Sequence, residues 1–344
     1  MHRDQTVAAL RVHMNLPPTF LRLIQSWVKC IVEFMKAMKF LWKVYFSLPP
    51  IIRQKLKFLL KRGAGHGSSK FNNMIAMRDA NGKCRIDRFA QLFCDYLTAS
   101  NITGIEGKRC LEIGTGYVGS SPVVMWLLGA QAVTSVDLNR LLMFGALKES
   151  ILSVEKKQLF NLLRKHVKSE ESLNNRINQI YVWADSKQEN LPDCFSYLAP
   201  FDILAREFDE DFDFLFSVST LEHIPRSIVS RFVERMASIL ASGGLGLHSI
   251  DLTDHFNSKE DPFRFLALKG EDYSEDSDAD SRGNRIRGSE WLDVFLKAGL
   301  TADIVMSSNA PRSHLPGILA SPFNEMNLED LLLTSVLVRI ISRK

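Results

Sequence analysis

The sequence predicts an α/β fold of the Rossmann-like kind, a mostly parallel sheet with helices on both faces, preceded by a basic amphipathic helical segment. Three observations lead there. Cys110 to Asp137, CLEIGTGYVGSSPVVMWLLGAQAVTSVD, reads as a strand, a glycine turn, a helix and a second strand ending in an acid. Farther along, a strand beginning at Phe212, a helix from Pro225 to Leu240 and a strand from Leu245 to Ile250 continue the alternation. The chain is 344 residues long and 46% hydrophobic, enough for one large domain plus an appendage.

Taken in order, the elements begin with an anomaly of charge. Residues 1–62 hold 12 Lys and Arg against 2 acids, a balance of +10, which leaves 31 against 37 in the remainder. Within Thr19 to Phe46, Arg22, Lys29, Lys36 and Lys43 recur every seven residues, so one narrow polar stripe runs down an otherwise apolar helix. A charge at that interval rules out an apolar span of transmembrane length, and no small-residue cleavage signal follows. The segment suits an in-plane helix on an anionic membrane surface, with Trp27, Trp42 and Tyr45 at interfacial depth, or a helix packed on the domain. Its lysines are interleaved with bulky aliphatics rather than clustered, so no nucleic-acid partner is expected.

Gly63 to Ser69 is a flexible linker, and residues 70–344 form the second domain. Ile86 to Leu97 has helical periodicity and should cap the cofactor pocket with its apolar side in the core. Cys110 to Ile113 is the first strand, Ser120 to Leu128 a helix closed by Gly129, and Val133 to Val136 the second strand. Residues from about 138 to 178 are a charged helical insertion, a lid or an interface. After the fifth strand comes a loop, about 256–288, strongly acidic between Glu260 and Asp280. Ser289 to Gly299 is a helix, and Thr301 to Met306 with Leu332 to Ile341 are the last strands. Five cysteines with no C-x-x-C spacing point to reduced thiols in a cytoplasmic setting rather than disulfides or a zinc site.

Gly114, Gly116 and Gly119 satisfy G-x-G-x-x-G, and Asp137 stands where a dinucleotide-binding fold keeps its ribose acid, so the pattern alone admits NAD. Glu112 weighs against it, because a pyrophosphate prefers an apolar strand residue there, whereas S-adenosylmethionine has no phosphate to repel. The segment Glu112-Ile-Gly-Thr-Gly-Tyr-Val-Gly resembles motif I of class I S-adenosylmethionine-dependent methyltransferases. Three more stretches follow in that family's order. Val136-Asp137-Leu138 resembles the end of the second strand. Val182-Trp183-Ala184-Asp185-Ser186 resembles the end of the third, and Phe212 through Leu221-Glu222-His223-Ile224 the fourth strand and loop of the type 11-like branch.

The resemblance implies a seven-stranded methyltransferase sheet with its last strand antiparallel, and S-adenosylmethionine as cofactor. It implies that Asp137 binds both ribose hydroxyls, that Asp185 with Ser186 meets the adenine, and that Ser217 holds the methionine end through its backbone. Glu112, Gly114, Gly116 and Leu138 complete the expected cofactor site. Methyl transfer depends on holding nucleophile and methyl aligned, and an oxygen nucleophile usually also needs a base. His255 is the first candidate, oriented by Asp251 or Asp254; His223 is the second, with a helix-capping role as its competitor. The run from His248 to His255, with the later Asn284-Arg-Ile-Arg287, resembles a bacterial subgroup linked to glycan or lipid modification. No metal is expected, since the spacing of Asp251, Asp254 and His255 is unspecific.

The expected function is therefore methyl transfer to a small-molecule, saccharide or lipid-linked acceptor, at the cytoplasmic face of a membrane. Two alternatives stay open: an NAD-dependent dehydrogenase or epimerase, and a non-catalytic methyltransferase-like partner docked at the membrane. Acceptor atom and oligomeric state are not legible.

Overall fold

The computed structural model describes residues 76–344 except 189, 257 and 271. The basic segment 1–62 and the linker 63–69 lie outside the described residues.

Seven strands form one sheet in the order β3-β2-β1-β4-β5-β7-β6. They are β1 (Arg109–Ile113), β2 (Ala132–Val136), β3 (Ser196–Leu198), β4 (Phe212–Val218), β5 (Leu240–Asp251), β6 (Leu300–Asn309) and β7 (Leu333–Ser342). The first five are parallel, and β7 runs antiparallel between β5 and β6. This is the Rossmann-like seven-stranded sheet, with its last strand antiparallel, expected of the sequence. The chain winds outward from β1 to β3 and then returns to place β4 beside β1. The topological switch therefore falls between β1 and β4, where open α/β sheets bind ligands.

Alternation along the strands sends apolar side chains to both faces. Cys110, Phe214, Phe216 and Leu247 face one layer, and Leu111, Leu215, Ile250 and Val338 the other. The first layer contains α1 (Ile86–Ala99), α2 (Ser120–Leu127), α3 (Phe144–Leu152), α4 (Lys156–Leu163) and α5 (Glu170–Asp185). Ile86, Ala90, Phe93 and Leu97 bury one stripe of α1, and Phe93 meets Phe216 of β4 edge-on at 5.6 Å. The helical insertion is part of this layer rather than a detached lid, because Leu147, Ile151, Leu159, Leu173 and Ile177 share its core. The second layer contains α6 (Val229–Ile239) and α7 (Gly288–Lys297), with Phe232, Met236, Trp291 and Phe295 turned inward.

One strand assignment fails. Tyr181 to Ser186 is the last turn of α5 and its cap, and β3 lies ten residues later. Ser169 caps the helix by accepting from the Ser172 N–H at 3.1 Å, Glu170 and Glu171 sit in its first turn, and Leu173, Ile177, Ile180 and Ala184 are buried at helical spacing. The local apolar run therefore belongs to a 16-residue amphipathic helix.

The acidic loop is folded rather than loose. Phe263, Phe265, Leu266 and Tyr273 make a small core with Phe323 and Leu331 of the β6–β7 connection. Cys94, Cys110 and Cys194 are buried free thiols and Cys84 is half-buried.

Candidate functional site

The glycine turn after β1 and the loop after β4 meet above the switch point. Gly114 adopts φ +86°, and a Cβ there would stand 2.3 Å from Thr220 Oγ1. Only glycine permits both that backbone and that approach. Gly116, at φ +66°, faces open space instead. Asp137 closes the turn: its Oδ2 accepts from the Gly116 N–H and its Oδ1 from the Asn139 N–H, each at 3.0 Å. Each oxygen retains a lone pair, which suits the two adjacent hydroxyls of a ribose. Burial raises its pKa above the ordinary carboxylate value, opposed by those two N–H donors. Leu138 beside it is 65% exposed and Leu198 at the end of β3 is 40% exposed, two aliphatic side chains open to solvent where a flat base would cover them.

Glu112 does not face that side. It is wedged between β1, β2 and α2, fully buried, and accepts from the hydroxyls of Ser121 and Ser135. Burial pushes its carboxyl up to about 7 against those two donors. Its place beneath the turn removes the phosphate-repulsion argument made for it from sequence; it supports the turn rather than lining the ligand surface.

Asp185 and Ser186 end α5 rather than the strand beside β2, which is β3. Asp185 is exposed at the end of α5, and Ser186 accepts Lys148 Nζ through its carbonyl at 2.6 Å. The residues that follow β3 are Ala199 to Asp202. The Phe201 N–H donates to the Asp137 carbonyl at 2.9 Å, so Asp202 is the acid brought to that end of the sheet. Ser217 is the penultimate residue of β4, buried, with its hydroxyl 2.9 Å from His248 Nδ1. Burial drops the His248 pKa to about 3, so this ring is neutral, stacked on Phe295.

Beyond the ends of β4, β5 and β7 lies a cavity of about 310 Å³. Its described lining is Asp251 and six hydroxyl residues: Ser219, Ser249, Thr253, Ser258, Thr334 and Ser335. Ser219 holds a left-handed backbone, φ +50°, fixed by its N–H donating to the Ser249 carbonyl at 2.9 Å. Asp251 accepts from Thr253 twice, from N–H at 2.9 Å and Oγ at 2.6 Å, and its Oδ2 lies 3.5 Å from His255 Nε2. Burial pushes the Asp251 carboxyl up, but the His255 and Thr253 donors together outweigh it and leave its pKa below the ordinary value. The ring of His223 meets that of His255 edge-on at 5.0 Å, and its Nδ1 is 3.2 Å from the Ala279 carbonyl. Glu222 is fully buried beside this group, and burial holds its carboxyl well above the ordinary range.

The structure thus joins His255 to Asp251 and sets Asp254 apart. Asp254 is fully buried, tied to Arg282, and caps the Phe256 N–H at 3.0 Å. Asn284 holds the turn carrying Glu222 and His223 through the Leu221 and Ile224 carbonyls, both at 2.9 Å. Arg285 stacks on Tyr273 and binds the Phe265 and Leu268 carbonyls. Arg287 is buried and donates to the carbonyls of Leu252, Asp330, Leu331 and Leu333. These three side chains tie loops together, and none of them is in the cavity's described lining. Sequence reading missed Ser219, Thr334 and Ser335, and for the β7 pair no local signal exists; pairing of Asp251 with Ser335 across the sheet brings them in. Among the described residues, no group of three or more His, Cys, Asp or Glu side chains is arranged to hold a metal ion.

No protein-family model matches the sequence, and no curated protein matches it. Among solved structures, the chain is similar to the YcgJ protein from Bacillus subtilis, at 15% identity and a TM-score of 0.41, over 74% of this chain and 98% of that one. It is similar to the S-adenosylmethionine-dependent methyltransferase from Mesorhizobium loti, at 12% identity and 0.39, over 73% and 97%. The N-methyltransferase NodS from Bradyrhizobium japonicum, in complex with S-adenosyl-L-homocysteine, is similar at 13% identity and 0.36, over 73% and 85%.

Proposed function

We propose that the chain is a class I S-adenosylmethionine-dependent methyltransferase acting on a small polar acceptor, saccharide or lipid-linked, at the cytoplasmic face of a membrane. The observation that carries the cofactor reading is the closure of the Gly114–Gly119 turn onto Asp137 at the switch point, with one lone pair left on each carboxylate oxygen. Asp137 would take the ribose hydroxyls, Leu138 with Asp202 the adenine end, and the turn with Ser217 and Ser219 the amino-acid end. When bound, S-adenosylmethionine supplies an electrophilic methyl group. The chain's own part is to hold an acceptor in line with it and take a proton.

Two features support the acceptor reading. The hydroxyl-lined cavity suits a polar head, and a groove of mixed character of about 450 Å³, lined among others by Arg312, Leu315, Phe323, Asn324 and Leu331, lies on the connection that leads into β7 and Thr334. The basic amphipathic sequence 1–62 supports the membrane face. Among the described residues no helix is long and apolar enough to cross a membrane.

Calorimetric titration with S-adenosylmethionine and with NAD separates the cofactors. Asp137→Ala should cost about 2–3 kcal/mol of S-adenosylmethionine affinity, on the scale of charge-assisted hydrogen bonds, with the fold intact. NAD binding in place of S-adenosylmethionine, or unchanged affinity in folded Asp137→Ala, would overturn the proposal.

A further inference from the structure

The residue nearest to acting as a base is not the histidine that the sequence favours. His255 Nε2 is closed off from solvent and turned toward Asp251, and neither His255 nor His223 lines the cavity. Asp251 does line it, between Ser249 and Thr253 on the same edge. Its Oδ1 is occupied by the Thr253 N–H and hydroxyl. Among the described residues its Oδ2 meets the His255 ring alone, at 3.5 Å, and it has a lone pair to offer a ligand.

We infer that Asp251 is the group that meets the acceptor, that His255 positions it, and that the acceptor is an uncharged polyhydroxyl compound whose reacting hydroxyl donates to Asp251 Oδ2. The inference rests on the methyltransferase reading and deepens it. Six hydroxyls around one carboxylate match the alternating donors and acceptors of a sugar-like ring, and about 310 Å³ is room for one such ring. No cationic side chain is among the described lining, so a phosphate or carboxylate there would face Asp251 without a counter-charge.

Among the described residues, the groups facing Asp251 come from three elements. Glu222 comes from the turn after β4, His255 from the loop after β5, and Arg287 from the segment before α7. Thr334 and Ser335 of β7 add only neutral hydroxyls. Burial disfavours the charged form of Glu222, whereas the Asp251 carboxyl lies below its ordinary range, so Asp251 is the more acidic of the two.

In the reaction, the acceptor oxygen forms a bond to the transferred methyl carbon while that carbon's bond to sulfur breaks, its electron pair remaining on sulfur. The oxygen becomes an oxonium, far more acidic than a carboxylic acid, and passes its proton to Asp251 Oδ2. A neutral methyl ether and a protonated carboxyl result, and the carboxyl returns the proton to water. A carboxylate of low pKa therefore suffices, because the transfer is late.

Carboxyl-carbon NMR of the full-length protein tests this without any turnover. Asp251, assigned by its loss in Asp251→Asn, should titrate below the ordinary aspartate value, and in His255→Ala its midpoint should rise by half a unit or more. Methyl β-D-glucopyranoside, added with S-adenosylhomocysteine present, should shift the Asp251 signal, and glucose 6-phosphate should bind at least tenfold more weakly. Thr334→Val, which leaves the charges in place, should weaken the glycoside several-fold. An Asp251 signal indifferent to both His255→Ala and the glycoside, or equal binding of the phosphate, would overturn the inference. Calorimetry with S-adenosylhomocysteine on the same samples keeps the two readings apart: its failure removes the methyltransferase, while the titration still reports on Asp251. If Asp251→Asn fails to fold, Asp251→Glu supplies the assignment, and Thr253→Val, which removes one donor to Oδ1, should raise the same midpoint; an unmoved midpoint would count equally against the inference.

Discussion

Glu112 offers a prediction that the sheet itself makes. It is the one acid buried inside the first β-α-β unit, with two hydroxyl donors and no cation. A raised folded-state pKa means that the native protein binds this proton more tightly than the unfolded chain does. The protonated side chain's contribution is then fully present below the unfolded value of 4.5 and is lost as pH rises through about 7. Each pKa unit corresponds to about 1.4 kcal/mol, so the full swing is about 3 kcal/mol, lost progressively between the unfolded value of 4.5 and about 7. Glu112→Gln keeps the shape and an acceptor for one serine, and it carries no charge at any pH.

The assay is calorimetric or fluorimetric melting of both proteins from pH 4.5 to 8.5. For a folded unit of this size, about 3 kcal/mol corresponds to roughly 6–12 °C in melting temperature. The difference between Glu112→Gln and the parent should grow by that amount in favour of the variant as pH rises, most steeply between the unfolded value of 4.5 and about 7, and level off above that. Other titrating groups are common to both and cancel. A difference that stays flat across the range would refute the argument, since it would mean that Glu112 ionises in the native state as easily as in the unfolded chain.

Three further expectations follow from particular contacts. Gly114→Ala should weaken S-adenosylhomocysteine binding at least tenfold and lower the melting temperature, because its Cβ enters Thr220 and its φ of +86° is strained; the double variant with Thr220→Ala should recover part of the loss. Arg287→Met should cost about 3 kcal/mol or more by leaving several buried carbonyls without a donor, seen as a lower melting temperature in protein that still binds S-adenosylhomocysteine. A protein beginning at Lys70 should bind S-adenosylmethionine as the full chain does but lose sedimentation with anionic vesicles, and the full chain's sedimentation should weaken with salt as headgroup attraction is screened; indifference of the full chain to vesicles at low salt would sink the membrane reading.

Much of the fold was legible because its first unit is local. The glycines, the helix from Ser120 and the acid at Asp137 lie within one continuous run, and each constrains the next. The third strand was not. It is three residues long, with two of them exposed, whereas the run at Val182–Asp185 looked more strand-like than it is. The helix could still have been read from Ser169-Glu170-Glu171 and the spacing Leu173, Ile177, Ile180, Ala184, which outweigh four residues of strand-like sequence. Placing Asp202 rather than Asp185 at the end of β3 then needs only a count forward to the next apolar stretch.

The Asp251–His255 pair shows where sequence runs out and where it need not have. Spacing of four residues suggests contact but does not say which member faces a ligand. Strand alternation does: β5 continues to Asp251, so His248 and Ile250 turn into the layers while Ser249 and Asp251 share the opposite orientation. His255 lies past the strand, after Asp254 has been drawn inward by Arg282, and it reaches back to Asp251 from behind. Extending the fifth strand by one residue, from Ile250 to Asp251, thus places the carboxylate on the cavity wall. The other wall, Thr334 and Ser335, follows only from the antiparallel register of β7, a pairing between residues more than eighty positions apart that no local pattern encodes.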